Sequence, residues 1–398
     1  MVIKNATLCD IDGEREVDVR IEDNIVVEIG HGLSCSQSID ATGLYFMPLL
    51  VDTNMRVQDS TLNAKNIKAI SDEALSAGIG RIILNPDCNP AIDNEIVLEF
   101  AQNGLHELGG AKVDLMLNTL KEDSTLSNIA ILLKRGAIAP YMSTIAKNDV
   151  AIKIAQYCQM YNVTLFCKAE DNSLINSGVM LEGDISSKLG LAGIPDLSEV
   201  LHVSRMIEIA RHFKIKILFK AIASPRSIYL INKAKQDGVN VTCEVSIHHF
   251  SNSDEACKNF NTAAKLNPPL SSRDDMKFLQ EALKSGQIDI LTTLHQPSSP
   301  LNKEVAFYDS AYGCEGVKNA MSIYYTKLVR NNIISMPELV KLCVKNPAEA
   351  IGESAGEIKV GERVNAMLFN PNKTVVMDEK LSLYCGEELY GEVEKIFN

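Results

Sequence analysis

The chain has 398 residues, 46% of them hydrophobic, which is enough for one large core and a smaller module. Lys plus Arg number 39 against 51 Asp plus Glu, a formal charge of -12, and no dense basic block is present to track a phosphate backbone, so nucleic-acid binding is not expected. The 10 cysteines include no C-x-x-C pair, which fits reduced core thiols better than disulfides or a zinc knuckle. No run reaches membrane-spanning length and the start, Met1-Val2-Ile3-Lys4-Asn5, carries no apolar leader, so a cytoplasmic protein without a membrane partner is expected.

Residues 1–47 alternate apolar and polar side chains, as in Val17-Asp18-Val19-Arg20-Ile21, with turns at Asp12-Gly13 and Glu22-Asp23-Asn24. This pattern predicts a small antiparallel sheet. From Leu49 the rhythm changes to strand, helix, strand. The first run ends Val51-Asp52-Thr53-Asn54-Met55-Arg56, and further strands are predicted over 81–84, 113–117, 136–139, 163–167, 216–219, 239–245 and 288–292. Ile67, Ile70, Ala74 and Leu75 before Gly78, and Leu197, Leu201, Met206 and Ile207 before Phe213, mark helices between them. Eight such units predict an α/β fold of the (β/α)8 TIM-barrel type. A doubly wound sheet is the alternative, but the first strand-helix turn has no Gly-rich dinucleotide fingerprint.

Beyond the last helix, 356–360, 366–369 and 374–377 read as strands again. The two ends therefore predict one composite β domain, with 1–47 and 353–398 flanking a barrel over 48–352. In a barrel the chemistry belongs at the C-terminal ends of the strands.

Several motifs in order carry a family resemblance. Met47-Pro48-Leu49-Leu50-Val51-Asp52 resembles M-P-G-F-x-D, and Asn85-Pro86-Asp87-Cys88-Asn89-Pro90 resembles M-P-N-T-x-P. Gly136-Ala137-Ile138-Ala139 is similar to the family's fourth strand, Lys168-Ala169-Glu170-Asp171 to H-A-E-D, and Gly193-Ile194-Pro195 with Glu199 to the next helix entry. Thr242-Cys243-Glu244-Val245-Ser246-Ile247-His248-His249-Phe250 resembles T-x-E-V-T-P-H-H-L, Lys265 to Leu270 resembles K-x-N-P-P-L, and Thr293-Leu294-His295-Gln296-Pro297 resembles T-D-H-A-P. Over nearly its whole length the chain resembles class I dihydroorotases of the amidohydrolase superfamily.

The resemblance implies two zinc ions held by a first-strand His pair, a fourth-strand carboxylate, one His each from strands five and six, and a proton-shuttling Asp after strand eight. Carried over residue by residue, the pair becomes Asn54 and Arg56, the carboxylate falls at Met142 or Ser143, and the two further His become Lys168 and Ala221. The shuttling Asp becomes Leu294. An Arg guanidinium has no lone pair and repels a divalent ion, so neither metal, cofactor nor catalytic residue is expected at these vestigial positions. The family's contacts to the substrate carboxylate fall at Gln58, Asp87 and Asn267, of which only the Asn is kept. An Asp in place of the amide repels an anion.

Arg56, Gln58, Asp87, Lys168, Asn267 and His295 are thus the candidates for a residual pocket, with Arg56 and Lys168 expected to pair with carboxylates such as Asp87 or Glu170. His248, His249 and His295 are expected to make structural hydrogen bonds, and Glu244 to brace the barrel. Loss of every ligand position leads to the expectation of a pseudoenzyme: a non-catalytic subunit that scaffolds or regulates aspartate carbamoyltransferase in pyrimidine biosynthesis, or forms a homo-oligomer. Two other readings stay open. One is an active dihydroorotase or other cyclic amidohydrolase with a remodelled site; the other is an anionic small-molecule sensor built on Arg56 and Lys168.

Overall fold

The computed structural model describes residues 1–106, 108–144 and 146–398. Its two ends meet in one seven-stranded sheet. Val2–Asp10 turns at Gly13, whose φ of 122° suits a residue without Cβ, into the antiparallel strand Gly13–Glu22. Tyr45–Pro48 runs parallel to Val2–Asp10 and antiparallel to Ala366–Val376, with Phe46 opposite Leu368, so the first and last segments share one sheet. Ile3, Leu8, Val19, Phe46, Leu368 and Phe397 bury the inner face as a separate core.

Two features of the C-terminal part differ from the sequence expectation. Residues 357–360 are irregular, with the Ile358 N–H donating to the Asp10 carboxylate rather than to a strand. The hairpin partner of Ala366–Val376 is Glu388–Phe397, whose charged residues Glu392, Glu394 and Lys395 mask its alternation.

The barrel strands are Leu50–Met55, Ile79–Leu84, Lys112–Leu115 continued by Leu117–Asn118, Pro140–Met142, Leu165–Lys168, Ile217–Lys220, Val241–Ser246 and Ile290–Thr292. They pair in parallel in chain order, and a parallel bridge between Met55 and His295 closes the eighth strand on the first. Asp52 locks that seam, accepting the Thr292 hydroxyl at 2.6 Å and the Thr293 N–H at 2.7 Å. The fourth strand lies later than 136–139, because Gly136 (φ 100°) and Ala137 are used to end the preceding helix.

Ala64–Ser76 is capped by the Asn63 side chain and buries Ile67, Ile70 and Ala74 on the barrel. Leu197–Phe213 forms as expected but buries Val200, Val203, Met206, Ile207 and Ala210, while Leu197 and Leu201 face outward at 38% and 47% exposure. All 10 cysteines are unpaired. Among the described residues no helix is long and apolar enough to cross a membrane.

Candidate functional site at the barrel mouth

The C-terminal ends of the strands converge on a cavity of about 20 Å³ lined by Asn54, Arg56, Tyr141, Lys168, Lys220, Ala221, Asn267 and Leu294, among others. Through Ala169, Glu170, Asn267 and Pro268 it adjoins a cleft of about 270 Å³. Strand alternation explains which side chains reach it. Asn54 and Arg56 stand two apart at the end of the first strand, and Lys168 and Lys220 are in register on strands five and six.

The inner layer of the mouth is a buried polar network. Glu244 is fully buried; it accepts the Thr53 hydroxyl at 2.5 Å and the Asn54 amide at 2.5 Å, and lies 3.4 Å from Lys220 Nζ. Lys220 also donates to the Thr53 carbonyl, and Asn85 donates to Asn54 Oδ1 at 2.6 Å. Burial lowers the Lys220 pKa, and the Glu244 and Asp52 carboxylates oppose that shift. Glu244 is thus the brace the sequence suggests. Lys220 was missed: its one signal is a lysine ending the apolar run Ile217-Leu218-Phe219.

The outer layer holds two more pairs. Arg56 Nη2 lies 2.7 Å from Asp87 Oδ2 and 3.3 Å from the Tyr141 hydroxyl, and Lys168 lies 3.2 Å from Glu170. Burial works against the Arg56 charge, but Asp87 and Tyr141 raise its pKa above the ordinary value. Burial likewise raises the Tyr141 hydroxyl.

Several expected site residues stand elsewhere. Met142 sits in the hydrophobic core, and Ser143 donates to Asn118 at 2.9 Å; the fourth-strand side chain that reaches the mouth is Tyr141. Asp87 lies behind Arg56 rather than on the cavity wall, and Gln58 turns toward Asp59 at 3.5 Å. His295 follows Leu294, so strand parity aims it away from the cavity, where its Nδ1 accepts the Gly316 N–H at 3.2 Å. Of the candidates for a residual pocket, Arg56, Lys168 and Asn267 are brought together, whereas Gln58, Asp87 and His295 are not cavity-lining.

His249 receives the Ser246 hydroxyl on Nδ1 at 2.8 Å and donates from Nε2 to the Pro269 carbonyl at 3.1 Å. His248 bridges Tyr384 at 3.0 Å and Cys314 at 3.3 Å. Burial holds both imidazoles neutral, with pKa values lowered to about 4 and about 3. Ala221 and Leu294 adopt left-handed backbone, with φ of 50° and 48°. Such conformations in residues with a Cβ cost of order 1 kcal/mol or more and cluster at functional sites.

Zinc does not fit this donor set. Where its ligands would stand are an amide, a guanidinium, an ammonium and two aliphatic side chains, and the nearest buried carboxylate, Glu244, is already committed to Lys220, Thr53 and Asn54. No step of the chemistry is therefore routed through a metal here.

No family model matches the chain. Among curated proteins it is 32% identical to a dihydroorotase of Caldanaerobacter subterraneus subsp. tengcongensis, over 99% of this chain and 95% of that one. It is 34% identical to a dihydroorotase of a Thermoanaerobacter species, over 95% of this chain and 90% of that one. Among solved structures, the L-hydantoinase (dihydropyrimidinase) from Arthrobacter aurescens superposes with a TM-score of 0.86 at 21% identity, covering 98% of this chain and 93% of that one. The dihydropyrimidinase from Brevibacillus agri NCHU1002 gives 0.84 at 19% identity, covering 99% and 93%. These two show a shared fold.

The full-length relatives named dihydroorotase overturn the expectation of a non-catalytic subunit scaffolding aspartate carbamoyltransferase. They favour its alternative, an active ring-opening enzyme with a remodelled site. Loss of the zinc ligands does not by itself remove catalysis. Replacing zinc ligands removes metal-bound hydroxide, but general acid-base groups and oriented donors also act on amides.

Proposed function

This chain belongs to the dihydroorotase family of the amidohydrolase superfamily, and we propose that it hydrolyses the ring amide of a dihydropyrimidine-type substrate at the barrel mouth with its own side chains. The observation that carries this reading is the Lys168–Glu170 pair at 3.2 Å, placed beside Asn267 where the mouth cavity meets the larger cleft. An acid-base pair next to an amide donor, at the opening of a ring-sized space, is what ring opening without a metal needs.

Water attacks the ring carbonyl carbon and gives its proton to Glu170. The Lys168 ammonium and the Asn267 amide donate to the oxygen that becomes negative. The ring C–N bond then breaks, its nitrogen takes the proton back from Glu170, and an open-chain acid leaves. Such general acid-base assistance contributes about 10²–10⁴-fold.

The test treats purified protein with a chelator and follows ring opening of dihydroorotate and dihydrouracil by loss of ring absorbance. Turnover of at least one ring about 10²-fold above background is expected, and its loss in Glu170→Gln with the fold retained. No turnover of either ring would overturn the assignment.

A further inference from the structure

We propose that the chain carries a divalent-cation site away from the barrel mouth, formed by Glu73, His295 and Glu315, for an ion of the zinc or manganese kind. The site does not depend on the ring-opening assignment. Each of the three residues offers one ligand atom, and these atoms all lie within 4.8 Å of one another. His295 Nδ1 stands 3.5 Å from Glu315 Oε2. Two ligands each about 2.1 Å from an ion in tetrahedral arrangement stand about 3.4 Å apart, so this pair already has the required spacing.

Three separate segments supply the ligands, so the fold and not a run of acidic sequence brings them together. Glu73 lies in the last turn of the helix Ala64–Ser76, which packs on the barrel through Ile67, Ile70 and Ala74. His295 follows the eighth strand, and Glu315 follows Cys314, which bridges to His295. The His295 side chain is 2% exposed and that of Glu315 14%, so the nitrogen is buried while the carboxylate leaves an ion a way in. Bound there, an ion ties the first helix to the loop after the last strand, beside the Met55–His295 bridge where the barrel closes.

The two carboxylates also lack a counter-charge. Among the described residues no lysine or arginine pairs with either, and neither accepts a hydrogen bond. The neighbouring Lys318 is committed to Asp378 at 2.7 Å. Crowded carboxylates without a donor need a shared proton or a cation. A divalent ion cancels both charges and takes the imidazole lone pair that now accepts the Gly316 N–H at a long 3.2 Å. Two oxygens and one nitrogen are a donor set that zinc and manganese accept, with further positions left for water.

The test strips the whole protein with a chelator, removes the chelator and titrates with Mn²⁺, following the electron paramagnetic resonance signal of the free ion. Manganese is the probe because carboxylates hold it, whereas thiols such as the exposed Cys35 and Cys385 would compete for zinc. One ion per chain is expected, together with a higher melting temperature of the loaded protein. Glu73→Gln and Glu315→Gln are each expected to weaken binding about tenfold or more and to lose the melting shift. Each removes one charge from a crowded pair, so without metal each variant should melt no lower than the wild type, which also shows that it folds. A wild-type protein that takes up no Mn²⁺, or an unchanged affinity in either folded variant, would overturn the site. In the first case the two carboxylates share a proton instead.

Discussion

Two ion pairs share one barrel mouth and differ in how far water reaches them. Lys220 and Glu244 are 1% and 0% exposed, and the carboxylate is further tied to Thr53 and Asn54. Arg56 and Asp87 are 9% and 23% exposed. The inner pair therefore has the character of a structural plug. The outer pair has solvent as a competitor and can exchange partners. The difference shows how one set of strand ends holds ion pairs of two kinds: depth below the rim decides how much water each keeps.

Breaking the inner pair is expected to have the largest effect. Glu244→Gln leaves Lys220 a buried, uncompensated cation, and a loss of about 3–5 kcal/mol is expected in urea unfolding. The loss should shrink at alkaline pH, where the lone amine releases its proton. An unchanged unfolding midpoint would put the two pairs in the same class.

The cleft adjoining the mouth gives the next effect, read through pH. Burial raises the Glu199 pKa from 4.5 to about 7, against the Ser227 hydroxyl and the Ala223 and Ser224 N–H groups that favour the charged form. At this group the native state then binds more protons than the unfolded chain, so the Glu199 contribution to stability is most favourable below about pH 4.5 and is lost as pH rises through about 7. Glu199→Gln should remove that slope, whatever it does to absolute stability; a slope that survives assigns the titration to another group.

Removing the outer cation sharpens the contrast. Arg56→Met leaves Asp87 partly hydrated, so a loss of about 1–3 kcal/mol is expected, below that of Glu244→Gln. An equal loss would erase the distinction of depth. Lys168→Met is expected to cost about as much as Arg56→Met, about 1–3 kcal/mol, since the Glu170 it strands is 15% exposed against 23% for Asp87, and that cost should accompany any loss of ring opening. Ala221→Gly on the same rim relieves left-handed strain and should stabilise by about 0.5–1 kcal/mol, a gain visible as a higher midpoint.

The eight-unit barrel and its β domain from both ends were legible in the chain, because hydrophobic period is a local property. So were the carboxylate partners of Arg56 and Lys168, since motif order placed them near the same strand ends. Other features were not. Tyr141 rather than Met142 faces the mouth because successive strand side chains point to opposite faces, and this strand runs over Pro140–Met142, after a helix-ending Gly136. His295 left the pocket by the same alternation, and Gln58 because the chain has left the strand for the 3-10 turn Gln58–Ser60. Lys220 and Glu244 lie 24 residues apart in the chain, and only closure of the barrel brings them to 3.4 Å and strips away their water. The sequence by itself determined which chemistry each position can offer. Tertiary structure alone decided which charges neutralise one another, because ion pairing depends on distance and desolvation, and both exist only once the strands have closed.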